Sequence, residues 1–560
     1  MAHLISNLNQ LNKELGEDIF KQFLAPSLFL DAPMMVIPFI LRCSDNKYLL
    51  YRNQENANCD LINTGDLIKR SYNPYFLIDK KQDNSVKQNL LETLKEILLE
   101  KEKEKILNVD DNLPYAAYNL IKEGLKGIEI TYEPRIIANN QYKIYEINIV
   151  DIEKRFKNLR DEGQKFANKL ISNLKENELL KEEMSKGADS RFEFLNKLME
   201  KHGFSAVIMS SSINIQELAG FPFGDNPHVS AIYKYADNTV NILSEKEINK
   251  NYAKIKGEYP DYFSALFSLN INGIDKIGFE DHFININEFD HYLKHQINLC
   301  EGTLVFREWR EYRAGEDLVF YIIAGQASKY AMEKVLEESH NNINQGNYHS
   351  EKELFFKYLE YFEEFKQKNH LPYNFSEYFT NFYASDRTLY PAIPSKFKVN
   401  RNTNEIKIDA GILMTDSQGT ILGSTDIART LQLNMHSAKI YDTIKNTVKH
   451  DIIPAIKEDK SYEEIYSEGV KLFSNNCEKT LKDYGMCPQE FDIKKEYTRD
   501  IGHLMGKQES FDVKIYKGNK NKLTNNIVGC IEIQWQYNKH ALVYEDMWYL
   551  GKNGVVNLTG

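Results

Sequence analysis

The stretch GSTDIARTL at residues 423–431, read together with IKIDAG at residues 406–411, decides the fold of this chain. Each is a run of β-forming apolar residues that carries one acid, Asp426 in the first and Asp409 in the second. Because side chains alternate across a strand, a buried acid in such a run must find a partner. The two runs, with TDSQGTI at residues 415–421 between them, predict a β-hairpin.

Three more candidate ligands follow in β-type segments further along the chain. His503 lies in RDIGHLMG, Glu532 in CIEIQW and Glu545 in VYEDMWYL. A single acid is most often a salt-bridge partner or a turn cap, but these residues and the two aspartates make four carboxylates and one imidazole in order. This donor set suits two divalent ions such as Mn²⁺, Co²⁺, Fe²⁺ or Zn²⁺. Two such ions can share a hydroxide and lower its pKa toward neutrality.

The order Asp, Asp, His, Glu, Glu resembles the ligand set of the pita-bread metallohydrolases, which include methionine aminopeptidase, aminopeptidase P and prolidase. IKIDAG, GSTDIARTL, DIGHLMG, IEIQW and YEDMW resemble the five ligand motifs, and DIARTL matches the family's Asp-Ile-x-Arg-Thr signature. Upstream, SSSINIQELAGF (210–221) resembles a strand-turn of the creatinase/prolidase N-terminal domain, and KIGFED (276–281) resembles a late strand of that domain. The segment FREWREYRAGEDLVFYIIAGQASKYAMEKVL (306–336) resembles its exit into the catalytic domain.

The resemblance implies a role for each ligand. Asp409 would chelate one metal only, Asp426 and Glu545 would bridge both metals, and His503 and Glu532 would hold the other. Glu532 would also be the general base that orders a bridging hydroxide. Support from outside the ligand set is expected from Arg429 and Thr430.

Three positions where the family's peptidases carry further histidines hold other residues here. Tyr390 stands before the first aspartate in SDRTLYPAIPSKF, Arg499 stands four residues before His503, and Ser510 stands seven residues after it. Tyr390 and Arg499 are candidates to bind a substrate carboxylate or to stabilise an oxyanion, although a packing tyrosine and a surface arginine are the alternatives. His540 is a candidate to replace a lost histidine, or else an exposed loop residue. Since a general acid or base contributes about 10²–10⁴-fold in rate, these substitutions favour altered chemistry or an unusual substrate.

The length of 560 residues requires more than one domain. We expect an α/β (α+β) chain in which a C-terminal pita-bread catalytic domain (316–560) follows one or two creatinase-N-like domains. These are a creatinase-N-like domain over 186–315 and a degenerate N-terminal α/β domain over 1–185, ending in a charged helix from about residue 149 to 186. The resemblance implies a homodimer, with Asn226 and His228 of the GDNPHVS loop overhanging the pocket as substrate contacts.

Composition argues against several classes of function. The 70 Lys and Arg against 81 Asp and Glu give a net charge of −11, which argues against a nucleic-acid binder. The longest apolar stretch, residues 32–41, is shorter than the about 20 residues that span a membrane. Six cysteines without a CxxC pair argue against a disulfide scaffold and thiolate zinc knuckles, and indicate a reducing cytoplasm.

The leading functional hypothesis is a dinuclear metal-dependent hydrolase that resembles Xaa-Pro aminopeptidase. It would cleave an N-terminal residue or a small peptide or amide through a metal-bridging hydroxide. The substituted histidine positions keep two alternatives open. One is a metalloenzyme of the same fold with lyase or biosynthetic chemistry on a small amino-acid derivative, and the other is a peptide-binding pseudoenzyme without metal.

Overall fold

Strands form where β-branched and aromatic residues alternate or run together in the sequence. A computed structural model describes residues 1–16, 38–52, 64–72, 90–134, 140–172, 177–185, 190–222, 229–248, 253–271, 276–312, 317–384, 394–433, 435–507, 509–537 and 540–560. The strands within these ranges are β1 (Ala2–Ile5), β2 (Phe39–Arg42), β3 (Lys47–Arg52), β4 (Ile68–Tyr72), β5 (Ile106–Val109), β6 (Glu129–Tyr132), β7 (Tyr142–Asn148), β8 (Ala206–Met209), β9 (Val229–Lys234), β10 (Thr239–Ser244), β11 (Lys254–Tyr259), β12 (Ile277–Phe279), β13 (Leu299–Glu301), β14 (Asn374–Ala384), β15 (Glu405–Thr415), β16 (Ile421–Gln432), β17 (Gly502–Met505), β18 (Glu509–Lys514), β19 (Ile527–Tyr537), β20 (His540–Gly551) and β21 (Gly554–Asn557).

Helices alternate with the strands. They are α1 (Leu8–Leu15), α2 (Leu90–Lys95, continued by a π-helix over Glu96–Lys101), α3 (Tyr115–Gly124), α4 (Ile149–Leu170), α5 (Asn177–Ser185), α6 (Arg191–His202), α7 (Ser212–Ala219), α8 (Tyr262–Ser268), α9 (Ile286–Lys294), α10 (Thr303–Glu311), α11 (Leu318–Gln345), α12 (Glu351–Asn369), α13 (Met435–Thr447, continued by a π-helix over Val448–Ile452 and a 3₁₀ turn over Ile453–Ala455), α14 (Tyr462–Asp483) and α15 (Ile493–Glu496). No helix in the described ranges is long and apolar enough to cross a bilayer.

The described strands form three sheets. The first has the order β4-β3-β2-β1-β5-β6 and the second the order β11-β7-β10-β9-β8-β12-β13, and both mix parallel with antiparallel pairs. The third has the order β14-β15-β16-β20-β19-β17-β18, with β21 paired to β20. Its neighbouring strands are all antiparallel. The predicted hairpin of β15 and β16 is therefore confirmed, and it lies inside the third sheet.

The third sheet is assembled from two halves, β14-β15-β16 and β20-β19-β17-β18. Among the described residues the halves share one backbone ladder pair, Ala428 of β16 with Glu545 of β20. We call this junction the seam. Thr430 fastens the seam, because its hydroxyl donates to the Val543 carbonyl at 3.0 Å and accepts from the Val543 amide at 3.0 Å.

Helices cover one face of the third sheet. Ile408 of β15 is buried in one core together with Phe320 of α11. Ile533 of β19 is buried in another core together with Ile444 of α13. Because side chains alternate along a strand, this arrangement turns every second residue of β15, β16, β19 and β20 to the opposite face.

The structure changes three local assignments made from the sequence. Residues 212–219 form a helix rather than part of a strand-turn, and Ser211 caps that helix by accepting from the Asn214 amide. The single helix expected over residues 149–186 is instead α4 and α5. β7, which falls inside the 1–185 unit, pairs with β10 and β11 of the second sheet. The division into 1–185, 186–315 and 316–560 as domains stays a prediction.

Candidate metal centre

One row of paired residues crosses the third sheet and defines the candidate site. Asp409 pairs with Ala428, Ala428 with Glu545, and Glu545 with Glu532. Directly paired residues on neighbouring strands point to the same face. Asp426 precedes Ala428 by two residues and therefore shares that face. The register of β15, β16, β20 and β19 thus places all four carboxylates on the face opposite the helices.

His503 joins the same face through β17. It pairs with Cys530, which lies two residues before Glu532 on β19. Gly502 permits this close approach, because its φ is +141° and a Cβ there would lie 2.1 Å from the Cys530 carbonyl oxygen. The Nδ1 atom of His503 lies 3.0 Å from the Leu504 carbonyl, which can only accept. Nδ1 donates there, so Nε2 is the nitrogen that faces the acids and is placed to bind a metal.

The ligand atoms converge closely. One carboxylate oxygen from each of Asp409, Asp426 and Glu545 lies within 4.8 Å of the others, and all three residues are buried. His503 Nε2 lies 3.4 Å from Asp426 Oδ2 and 3.6 Å from Glu545 Oε1. A second group within the same limit consists of His503, Cys530 and Glu545.

This donor set fits divalent cations. Burial and the neighbouring Glu545 carboxylate raise the pKa of Asp426 well above its usual range, although His503 opposes the rise. Within the described part of the chain, Asp426 Oδ1 is buried without a hydrogen-bond partner. Clustered buried carboxylates of this kind are costly unless a cation neutralises them. A divalent ion with oxygen and imidazole ligands supplies that charge.

Glu532 forms an ion pair with Arg499 at the edge of the ligand cluster. Its Oε2 lies 3.4 Å from Arg499 Nη2. Burial raises the pKa of Glu532 to about 7, Arg499 opposes the rise, and Glu545 and Asp409 add to it. A carboxyl group with this pKa can hold or release a proton near neutral pH.

Lys407 is a second cation on the ligand face. It is 0 % exposed and lies two residues before Asp409 on β15, so its side chain points to the same side. Its Nζ lies 3.7 Å from Asp409 Oδ2 and has no hydrogen-bond partner among the residues that the structure describes. Burial lowers the pKa of Lys407, and Asp409 opposes the change. The Lys407 amine therefore lies beside the ligand cluster, where it can still donate to a ligand or a substrate oxygen.

The opposite face is braced directly behind the ligands by Arg429 and Asp546. Arg429 Nη2 donates to Asp546 Oδ1 at 2.6 Å, Nη1 donates to the backbone carbonyl of Glu545, and the guanidinium lies 4.3 Å from the Tyr544 ring centroid. Burial would raise the pKa of Asp546, but Arg429 holds it below its usual range. Arg429 thus bonds to β20 at Glu545 and Thr430 bonds to it at Val543, and the supporting role expected of both stays a prediction.

The remaining predicted site residues are placed only in part. Ser510 and His540 belong to β18 and β20 by backbone, but their side chains lie outside the described part of the chain. Tyr390, Asn226 and His228 also lie outside the described residues. Their roles stay predictions, as does the assignment of each ligand to a particular metal.

Sequence reasoning missed two residues at the centre, Lys407 and Cys530. Both were visible as alternation, since each precedes a predicted ligand by two residues in a strand. The pairing of Cys530 with His503 had no local signal, because it depends on the register between β17 and β19.

The fold defined by these elements is the pita-bread fold, with mixed α/β units before it, which confirms the predicted fold class. The structural neighbours of the chain are prolidases, Xaa-Pro dipeptidases and X-prolyl aminopeptidases. One is an X-prolyl aminopeptidase from Caenorhabditis elegans, a cytosolic enzyme with a di-nuclear active site. It matches 100% of this chain and 86% of its own at 11% identity, with a TM-score of 0.54.

Two further neighbours are shorter than this chain. The prolidase from Pyrococcus furiosus matches 65% of this chain and 99% of its own at 17% identity and a TM-score of 0.49. The X-Pro aminopeptidase from Thermotoga maritima MSB8 matches 66% and 97% at 16% identity and a TM-score of 0.48. No protein-family model and no curated protein matches the sequence.

Proposed function

We propose that this chain is a metal-dependent hydrolase of the aminopeptidase kind, which cleaves an N-terminal residue or a small peptide or amide with the help of two divalent ions. The observation that carries the proposal is the convergence of Asp409, Asp426 and Glu545 within 4.8 Å, with His503 beside them. In a pseudoenzyme without metal, these clustered buried acids would lower the stability of the fold without a compensating cation. The shared fold with peptidases supports the same conclusion.

The ligand residues supply the site and the metal ions supply its Lewis acidity. Asp409, Asp426, Glu545 and His503 would hold the ions. When bound, such ions polarise a carbonyl and lower the pKa of a bound water toward neutrality. Glu532, whose pKa is about 7, would take up a proton during attack and return it to the leaving amine.

Lys407 and Arg499 would recognise the substrate beside the ligands. Both cations adjoin the carboxylates of the site, at Asp409 and Glu532 respectively. A carbonyl or carboxylate oxygen of the substrate would be held by such donors and stabilised as negative charge develops. Lys407 and Arg499 would thus bind substrate oxygens in place of histidines. The family's peptidases carry histidines at the positions that Arg499 and Ser510 occupy here.

The test compares two aspartates of the same hairpin. Asp426→Asn removes a ligand, whereas Asp416→Asn changes another buried aspartate that pairs with Arg155 at 2.5 Å, away from the cluster. We expect the purified protein to carry divalent metal, and chelation followed by Mn²⁺, Co²⁺ or Zn²⁺ to abolish and restore cleavage of Xaa-Pro peptides. Loss of a direct ligand should weaken metal binding by more than the about 10–100-fold typical of an outer-shell partner.

Different outcomes would contradict different parts of the proposal. If Asp426→Asn leaves metal content and peptide cleavage as they are in Asp416→Asn, the proposal is wrong. If metal is bound but no peptide in an Xaa-Pro panel is cleaved, the metal centre stands and the aminopeptidase assignment fails. The homodimer and the cytoplasmic compartment predicted from the sequence stay predictions.

A further inference from the structure

Glu545 lies between two groups of candidate ligands rather than one. The first group joins it to Asp409 and Asp426, and the second joins it to His503 and Cys530. In each group one ligand atom per residue lies within 4.8 Å of the others, and every member is buried. A shared carboxylate with two further candidate ligands on either side is a natural frame for two ions.

The second group contains a thiol where the family resemblance implies Glu532. Glu532 belongs to neither group, and its Oε2 lies 3.4 Å from Arg499 Nη2. Cys530 lies two residues earlier on β19 and pairs directly with His503. It is 0 % exposed, and its S–H donates to the backbone carbonyl of Asp426 at 3.3 Å. The thiol thus bonds across the ligand face to β16, while the backbone of Cys530 pairs with β17.

We propose that Cys530 is a metal ligand, so that His503, Cys530 and Glu545 form the second metal position beside Asp409, Asp426 and Glu545. The inference rests on the metal centre of the proposed function and refines it. Binding replaces the S–H bond by a sulfur–metal bond, and the proton leaves to the solvent buffer. Glu532 stays with Arg499 and keeps its carboxylate for proton transfer.

The two positions then differ in the metal that they prefer. Imidazole, thiolate and carboxylate together form a borderline-soft donor set that suits Zn²⁺ or Co²⁺. The position built from Asp409, Asp426 and Glu545 has only carboxylate oxygens from the protein and accepts harder ions such as Mn²⁺. The chain would therefore bind a mixed pair, with one ion held by sulfur.

Cobalt absorption tests this directly. Metal-free protein is titrated with Co²⁺ alone, and the near-ultraviolet band of thiolate-to-cobalt charge transfer is followed together with the number of ions bound. We expect a band with the intensity of one thiolate, and its loss in Cys530→Ser with at least tenfold weaker binding of one of the two ions. Cys477→Ser is the matched control, because Cys477 is equally buried but contacts Thr447 in the helical layer at 3.8 Å.

A second variant keeps the test decisive if Cys530→Ser does not fold. Glu532→Gln should retain the band, since its carboxylate is not a ligand in this arrangement. A wild-type protein that binds two Co²⁺ ions without the band overturns the role of Cys530 and leaves the proposed function intact. A Glu532→Gln protein that loses the band also overturns it, and a protein that binds no Co²⁺ contradicts both proposals.

Discussion

Glu532 should make the metal-free protein lose stability as the pH rises through neutrality. Burial raises its pKa from the ordinary value of 4.5 to about 7, so the folded protein keeps a proton there that the unfolded chain has lost. The contribution to the free energy of unfolding is fully present below pH about 4.5 and is lost as the pH passes about 7. Glu532→Gln, which is neutral throughout, should remove this dependence.

The size of the effect follows from the pKa. A rise from 4.5 to about 7, at about 1.4 kcal/mol per pH unit, corresponds to about 3 kcal/mol. Part of this stability is already lost at pH 5, because the unfolded chain begins to ionise at about pH 4.5. Between pH 5 and pH 8 the free energy of unfolding therefore falls by about 2–3 kcal/mol. Relative to wild type, Glu532→Gln should therefore gain about 2–3 kcal/mol on going from pH 5 to pH 8.

Guanidinium unfolding of the chelated protein provides the assay. Tryptophan fluorescence reports the relevant sheet, because two of the three tryptophans, Trp535 and Trp548, are buried in β19 and β20. The difference between wild type and Glu532→Gln is measured at both pH values, so that groups common to both proteins cancel. A difference that does not change with pH would refute the reasoning. Added Zn²⁺ or Mn²⁺ should flatten the dependence, because metal binding favours the ionised site.

Three further substitutions test the surroundings of the ligands. Lys407→Met removes a buried ammonium that repels incoming cations, and calorimetric titration should show divalent binding at least about fivefold tighter; unchanged or weaker binding would contradict this. Gly502→Ala places a Cβ against the Cys530 carbonyl and should cost more than about 3 kcal/mol in thermal denaturation, with loss of bound metal. Arg429→Met leaves Asp546 as an uncompensated buried charge and should lower the free energy of unfolding by about 3–5 kcal/mol.

Matched controls exist for the last two substitutions. Gly485 also has a positive φ, +68°, but none of the described residues lies within 4 Å of the place that an added Cβ would occupy, so Gly485→Ala should cost only about 1 kcal/mol. Arg401 is exposed, and Arg401→Met should stay within about 0.5 kcal/mol of wild type. If each control costs as much as its partner, the site-specific explanation fails.

The sequence predicted the ligand strands well because their signal is local. An acid inside an apolar run, as at Asp409 and Asp426, identifies both the strand and its unusual buried charge. Lys407 and Cys530, the two residues that change the chemistry most, also alternate with the ligands of their strands. The sequence around each of them does not show which residues it contacts. Their importance depends on neighbours brought together by strand register, which short-range patterns do not contain. The helix at residues 212–219 was missed because its N-cap, Ser211, is one of three consecutive serines, and the sequence does not show which of them caps a helix.

The seam has a consequence for how the protein is made. Its two halves are separated by the long helical insertion between β16 and β17, so each hairpin set can pair internally before the halves meet. Closing that loop carries an entropic cost. In the described residues it is offset by one ladder pair, Ala428 with Glu545, and by the side-chain bonds of Arg429 and Thr430 to β20. Ions that bind ligands from both sides would complete the closure. Metal acquisition would then be the last step of maturation, and metal-starved cells would accumulate a slowly assembling, protease-sensitive chain.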